Sequence, residues 1–274
     1  MTTPSTLRIG RRYRPSRLDD SYDACVIGSG IGGLTTAACL AKQGRKVLVL
    51  EQHYTAGGFT HAYARNGYEW DVGIHYIGEV GKRNSLTRRL FDFISDGQLQ
   101  WAPMDKAYDR FFIGEECFDA IAGKRDYMEH LRRRFPREHA AIDEYFRRLE
   151  AVGRAVQMLT MEKLITGIPG KLIRRARKSL LPDYVNRPTY EVLRELIDDE
   201  MLIGVLTGQW GDNGVPPEKS SFMIHGMIAG HYLHGAYYPV GGASRIAETI
   251  IPVIPVSYTH LRAHETYLLI SYAV

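Results

Sequence analysis

The pattern of apolar and polar residues predicts a strand, a helix and a second strand near the start of the chain. Residues 22–27 form a short apolar run that is typical of a buried strand. Residues 34–43 have a helix-forming composition, and Gly44 is well placed to end that helix. Residues 46–50 form a second apolar run. This order, within about 30 residues, predicts a β–α–β unit.

A longer amphipathic pattern predicts helices in the middle of the chain. Apolar side chains recur at helical spacing between residues 127 and 154, and Pro136 interrupts the pattern, so we expect two helices or a kink there. The recurring apolar positions are Leu131, Phe135, Ile142, Tyr145 and Leu149. Farther along, His231 and His234 have the spacing to share a helical face, and with His225 we expect them to pack or to line a pocket rather than to bind metal.

A glycine-rich turn joins the first predicted strand to its helix, with the sequence Gly28-Ser29-Gly30-Ile31-Gly32-Gly33. Gly28 permits the tight turn, Gly30 lets a pyrophosphate approach the backbone, and Gly33 lets the helix sit close to the strand. The helix N-terminus would offer free N–H groups to the phosphates. The alternative is a tight turn in an unrelated fold.

An acidic residue ends the second predicted strand at the distance that dinucleotide-binding units require. Glu51 follows the glycines by about 20 residues, where a carboxylate can accept hydrogen bonds from both ribose hydroxyls of an adenosine. The same carboxylate would repel a 2′-phosphate. The spacing therefore predicts a dinucleotide site and does not separate FAD from NAD.

Three further segments resemble one family of flavoproteins. Gly57-Gly58 follows Gln52 and resembles the FAD-binding segment of two-dinucleotide-fold flavoproteins, although Phe59-Thr60 stands where many members carry arginine. Residues 71–78 (DVGIHYIG) and 235–244 (GAYYPVGGAS) resemble the all-trans-retinol 13,14-reductases (retinol saturases), whose wider relatives are phytoene desaturases and carotenoid isomerases.

The resemblance implies an FAD-dependent oxidoreductase that acts on C=C bonds of a hydrophobic polyene, with NAD or NADP open as the electron donor. It implies an α/β fold with a Rossmann-like FAD-binding domain and a mixed, partly helical substrate domain. The implied FAD-binding residues are Gly28, Ser29, Gly30, Ile31, Gly32, Gly33, Glu51, Gln52, Gly57 and Gly58. His75 is the candidate catalytic residue, as a proton donor or a flavin contact; a purely structural histidine is the alternative.

The same resemblance gives the expected domains. Residues 1–20 form a flexible basic arm, 21–83 the FAD-binding segment, 84–237 an incomplete substrate domain, and 238–255 the return to the FAD domain. Relatives continue beyond this point with roughly as much chain again. Residues 256–266 (VSYTHLRAHET) look like one reading frame of a transposase-type sequencing adapter, so we expect 256–274 to be an artefact.

Composition narrows the classes of function that remain. The chain has 274 residues, 35 basic and 31 acidic, and its net charge of +4 does not indicate nucleic-acid binding. Three widely spaced cysteines argue against a disulfide framework and favour a reducing, cytoplasmic compartment. No apolar run reaches the roughly 18 residues that a membrane-spanning helix needs. Residues 161–182 are basic and amphipathic, which leaves peripheral membrane contact and a solvated helix both open.

Three alternatives to a reductase stay open. A carotenoid desaturase or isomerase would use the same flavin geometry. An NAD-dependent dehydrogenase is disfavoured by Gly57-Gly58 and by the lack of a plausible acid–base pair. A non-catalytic fragment that binds only the ADP part of FAD would describe this literal chain, while the reductase describes its longer parent.

Overall fold

The computed structural model describes residues 8–12, 14, 16, 18–19, 21–165, 181–254 and 259–261. They form two compact units: a first unit that runs up to Pro103 and resumes at Tyr237, and a second unit, Met104–Ala236. Residues 84–103 therefore lie in the first unit and not in the predicted substrate domain. The physical reason is packing, because Phe91 and Ile94 are buried in the core of the first unit.

The strands are short and form four small sheets. In chain order they are β1 (Arg11–Arg12), β2 (Ala24–Ile27), β3 (Val47–Glu51), β4 (Ala62–Arg65), β5 (Tyr68–Asp71), β6 (Ile77–Gly78), β7 (Trp101–Pro103), β8 (Ala107–Ile113), β9 (Glu116–Ile121), β10 (Ala236–Pro239) and β11 (Thr259–Leu261). One sheet has the order β1–β11–β3–β2, and all its pairings are parallel. A second has the order β6–β10–β7, and β4–β5 and β8–β9 are antiparallel hairpins.

The helices carry capping residues at several N-termini. They are α1 (Ile31–Lys42), α2 (Leu86–Ile94), α3 (Lys124–Arg134), α4 (His139–Leu164), α5 (Thr189–Arg194), α6 (Glu200–Thr207), α7 (Phe222–Tyr232) and α8 (Arg245–Ile250). Ser85, Asp199 and Ser221 cap α2, α6 and α7 through their side chains, which satisfies backbone N–H groups that a helix start leaves free. None of the helices in the described part of the chain is long and apolar enough to span a bilayer.

The first unit confirms the predicted strand–helix–strand order as β2, α1 and β3. Its core joins α1 and α8 to the parallel strands, because these elements contribute fully buried small and branched side chains to one cluster. The cluster includes Leu34, Ala37, Ala38, Val47, Val49, Ile246 and Ile250. After α1, Gly44 takes a positive φ of 77°, the conformation that favours glycine beyond a helix end.

The second unit confirms the predicted interruption at Pro136. The chain forms α3 before this proline and α4 after it, since proline cannot donate a helical hydrogen bond. All five predicted apolar positions are buried in one core with residues of α5, α6 and α7: Leu131, Phe135, Ile142, Tyr145 and Leu149.

Two predictions about helix ends are wrong. Helix α7 ends at Tyr232, so His234 lies beyond it and does not share a helical face with His231. The chain turns there because Gly235 adopts a φ of 103°. The helix predicted for residues 244–254 is shorter: α8 ends at Ile250, and a 3₁₀ turn follows at Ile251–Val253, where Pro252 cannot continue the α-helical bonding.

Two predicted segments fall partly outside the described residues. Of the basic amphipathic stretch 161–182, only 161–165 and 181–182 are described. Of the predicted adapter segment, Thr259–Leu261 is described, as the strand between β1 and β3. The origin of residues 256–274 stays a prediction from the sequence.

Candidate functional site

The glycine turn between β2 and α1 has the geometry of a phosphate-binding loop. Gly28 has a φ of 92°, which side chains rarely allow. A Cβ on Gly33 would lie 2.1 Å from the carbonyl oxygen of Gly28, so the close approach of α1 to β2 requires glycine there. A Cβ on Gly30 or Gly32 would meet nothing within 4 Å, which leaves open space over the start of α1.

The N-terminus of α1 is available to an anion. Gly30 occupies its N-cap position in extended backbone, and no side chain caps the helix. The first N–H groups of a helix have no partner inside the helix, and its dipole favours negative charge there. The loop can therefore hold a phosphate by backbone N–H groups alone.

The second glycine pair lies against the first glycine loop. Gly57 forms a parallel bridge with Gly30, and its N–H donates to the carbonyl oxygen of Ser29 at 3.1 Å. Gly58 has a φ of 57°, and a Cβ there would lie 2.8 Å from the Cα of Gly30. Larger residues at Gly58 would thus push the two loops apart. The pair brings the chain back beside the phosphate loop, which is the arrangement that the sequence predicts.

The Glu51 carboxylate ties β3 to the glycine loop. Its Oε2 accepts hydrogen bonds from the N–H of Ser29 at 2.7 Å and the hydroxyl of Ser29 at 2.6 Å. Its Oε1 accepts from the N–H of His53 at 2.8 Å. Burial pushes the pKa of Glu51 up, but the hydrogen bonds from Ser29 and His53 outweigh it and hold the pKa below its usual value. The carboxylate is therefore ionised at neutral pH.

The two family-like segments meet in the same unit. Asp71, at the end of β5, accepts hydrogen bonds from the hydroxyl of Tyr238 and from the N–H of Ala243 at 3.4 Å. Burial, with the hydrogen bond to Asp71, raises the pKa of Tyr238 to about 12. A Cβ on Gly73 would lie 3.0 Å from the Cβ of Phe59. Residues 71–73 thus connect the second glycine pair to the 238–243 turn.

Not every predicted site residue is engaged by the rest of the chain. Ile31, Gln52 and His75 are exposed, and His75 follows Gly73 by two residues. Sequence reasoning missed Asp71 and Tyr238, although both lie in the segments that it quoted. It also missed that Ser29 binds Glu51 through its side chain. A serine inside a glycine fingerprint carries no local signal for this contact, because the partner lies on another strand.

The second unit holds one buried polar pair outside this site. The hydroxyl of Tyr145 and Nε2 of His225 are 3.0 Å apart, and burial lowers the pKa of His225 to about 4. His225 lines a small cavity with Thr189, Thr207 and Ser220. Among the described residues, no group of three or more His, Cys, Asp or Glu side chains could hold a metal ion.

Known proteins resemble this chain in both sequence and fold. Residues 26–94 match the model of an NAD(P)-binding Rossmann-like domain. An all-trans-retinol 13,14-reductase of Danio rerio is 42% identical over 250 residues, which cover 88% of this chain and 41% of that protein. This chain is a homologue of the all-trans-retinol 13,14-reductases. A chloroplastic prolycopene isomerase of Daucus carota is more distant, at 28% identity over 240 residues, which cover 84% of this chain and 38% of that protein.

The homology covers only part of the reductases. The chain spans about two fifths of the length of the curated relatives that it matches. Among solved structures, a putrescine oxidase superposes with a TM-score of 0.56 at 17% identity, over 87% of this chain and 50% of that one. This likeness supports the fold alone: a Rossmann-like α/β unit within a larger oxidoreductase architecture.

Proposed function

We propose that this chain forms the dinucleotide-binding part of an FAD-dependent oxidoreductase that acts on a C=C bond of a polyene, as a retinol saturase does. The observation that carries the proposal is the glycine loop, with open space above Gly30 and an uncapped helix N-terminus beside it. This loop fits a pyrophosphate because it offers backbone N–H groups where no side chain obstructs them.

The residues present fit FAD residue by residue. Gly28, Ser29, Gly30, Ile31, Gly32 and Gly33 would surround the pyrophosphate, Glu51 with Gln52 would face the ribose, and Gly57 with Gly58 would close the cofactor against the loop. When bound, the flavin supplies the electron chemistry. The chain binds and orients it, and an ionised Glu51 disfavours a 2′-phosphate at this position.

FAD is favoured over NAD by the second glycine pair. Gly57 bridges to Gly30 and returns the chain to the phosphate loop, an arrangement that the sequence links to flavoproteins. The names of the homologues support a redox enzyme. NAD or NADP as the electron donor stays a separate proposal, since the sequence holds no second fingerprint.

The substrate proposal rests on what the homologues are named for. Retinol and prolycopene are both conjugated polyenes, so we infer a hydrophobic polyene substrate. His75 is proposed as the proton donor or as a flavin contact, since it is exposed two residues after Gly73, which packs on Phe59. The second unit is proposed as part of the substrate domain, and residues 161–182 as a peripheral membrane contact. A desaturase or isomerase is the competing activity.

The first experiment is a titration of the purified chain with FAD, and in parallel with NAD, followed by the visible absorption and fluorescence of flavin and by the protection of the fold. We expect saturable binding of FAD and none of NAD. The same titration on a protein extended to the length of the reductases is the decisive control. Failure to bind FAD there would overturn the proposal, whereas failure in the short chain alone would assign the missing affinity to the rest of the protein.

The reaction is tested on the extended protein. With flavin bound and reduced, product analysis on all-trans-retinol should show loss of one C=C bond. Appearance of a new C=C bond, or of a geometric isomer without net redox change, would replace the reductase proposal with the desaturase or isomerase.

A further inference from the structure

The strand β2 lies at an open edge of the parallel sheet. Its partner on one side is β3, and the N–H groups of Ala24 and Gly28 donate to the carbonyl oxygens of Lys46 and Leu50 at 3.3 and 2.7 Å. Because backbone groups alternate in direction along a parallel strand, the N–H and C=O groups of Cys25 and Ile27 point to the other side. In the described ranges, no strand pairs with that side.

One face of β2 is also uncovered. Val26 packs against the core that contains α1, whereas the side chains on the opposite face are exposed: Cys25 is exposed, and Ile27 is 84% exposed. Parallel sheets are normally covered on both faces, and their strands are then apolar throughout, as Ala24–Ile27 is. The strand also lacks the charges and prolines that protect a natural edge.

We propose that the outer edge and the Cys25–Ile27 face of β2, here called the β2 surface, are an interaction surface for a β-strand and a packing element supplied by the part of the protein that lies outside this chain. The homologous reductases are long enough to supply them, since this chain aligns with only 41% of the Danio rerio protein. The added strand is parallel, as every other pairing in this sheet is.

A second copy of the chain fits the surface less well. Two copies related by a twofold axis would pair β2 with itself in the antiparallel direction over four residues, within a sheet whose other pairings are parallel. Such a contact would leave the exposed face of Ile27 uncovered. The proposal concerns the architecture of the sheet and does not depend on which cofactor binds.

The first test measures thiol reactivity, because the chain provides its own control. Cys25 lies on the β2 surface, and Cys117 is an exposed thiol on β9 in the second unit. Maleimide labelling followed by peptide mass spectrometry gives both rates in one sample. In this chain both thiols should react; in a protein extended to the length of the reductases, the ratio of the Cys25 to the Cys117 rate should fall at least about tenfold.

The second test measures hydrogen exchange of three neighbouring amides. The amides of Cys25 and Ile27 face the open edge, while that of Val26 lies between β2 and β3. Extension of the protein should slow exchange at Cys25 and Ile27 by at least about tenfold and should change Val26 little. Unchanged exchange and unchanged Cys25 labelling in the extended protein would overturn the proposal.

Two further arms identify the occupant. If FAD alone protects Cys25 and the outward amides in the short chain, the cofactor covers the surface and the proposal is wrong. If protection in the short chain rises with protein concentration together with dimerisation, a second copy is the occupant and the proposal is wrong. Protection in the extended monomer, with or without bound flavin, supports it and is readable even if the cofactor assignment fails.

Discussion

Substitution of Gly33 by alanine should destabilise the first unit through one identifiable contact. The added Cβ would lie 2.1 Å from the carbonyl oxygen of Gly28 and 3.1 Å from its carbonyl carbon. Because these are backbone atoms of the loop, they cannot rotate away, and α1 must move off β2. Overpacking of this kind costs about 1–3 kcal/mol of the free energy of unfolding.

The matched control is Gly32→Ala in the same turn of the same helix. A Cβ there would meet nothing within 4 Å, and neither position has a positive φ. Both substitutions gain the same helix propensity, at most about 1 kcal/mol, so the difference between the two variants isolates the contact with Gly28.

Urea unfolding of the wild type and both variants, followed by circular dichroism, measures that difference. We expect Gly32→Ala to match or exceed the wild type in stability and Gly33→Ala to fall about 1–3 kcal/mol below Gly32→Ala, with an unchanged dependence on urea concentration. Equal stabilities of the two variants, within about 0.5 kcal/mol, would refute the view that Gly33 is required by the close approach of α1 to β2.

Three further predictions follow from the same site. Gly30→Ala should leave the melting temperature unchanged and weaken FAD binding at least about tenfold, because its Cβ enters only the open space above the loop; unchanged affinity in a flavin titration would contradict the proposed phosphate position. Ser29→Ala should raise the pKa of Glu51 toward its ordinary value, measured by carbon-13 NMR of the carboxyl group. The lowered pKa stabilises the wild type above the unfolded-state value, and this contribution is lost as the pH falls through the folded-state pKa, so the variant should lose less stability on acidification below about pH 4.5. Tyr238→Phe should cost about 1–3 kcal/mol because it removes a donor from Asp71, with Tyr237→Phe on the same strand as the control, and equal unfolding midpoints for the two would contradict it.

The parts of the fold that the sequence predicted are local. The order β2, α1, β3 follows from apolar runs and glycines that lie within 30 residues, and the break at Pro136 follows from the chemistry of one residue. Each of these features is decided by neighbours along the chain, so no knowledge of distant contacts was needed.

The parts that it missed depend on distant contacts. The bond between Tyr238 and Asp71 joins residues 167 positions apart, and that between Tyr145 and His225 joins residues 80 positions apart. No periodicity or spacing predicts such pairs. The first domain boundary was misplaced for the same reason, since only packing on the core shows that residues 84–103 belong to the first unit.

The position of Glu51 has a consequence for how the proposed cofactor binds. A carboxylate oxygen has two lone pairs, and Oε2 already accepts two hydrogen bonds from Ser29, while Oε1 accepts one from His53. One acceptor position on Oε1 is therefore left, and two ribose hydroxyls need two. A ribose that bonds Glu51 through both hydroxyls must displace one of the bonds from Ser29. Because the N–H of Ser29 belongs to the glycine loop, ribose binding and phosphate binding are coupled through this one carboxylate.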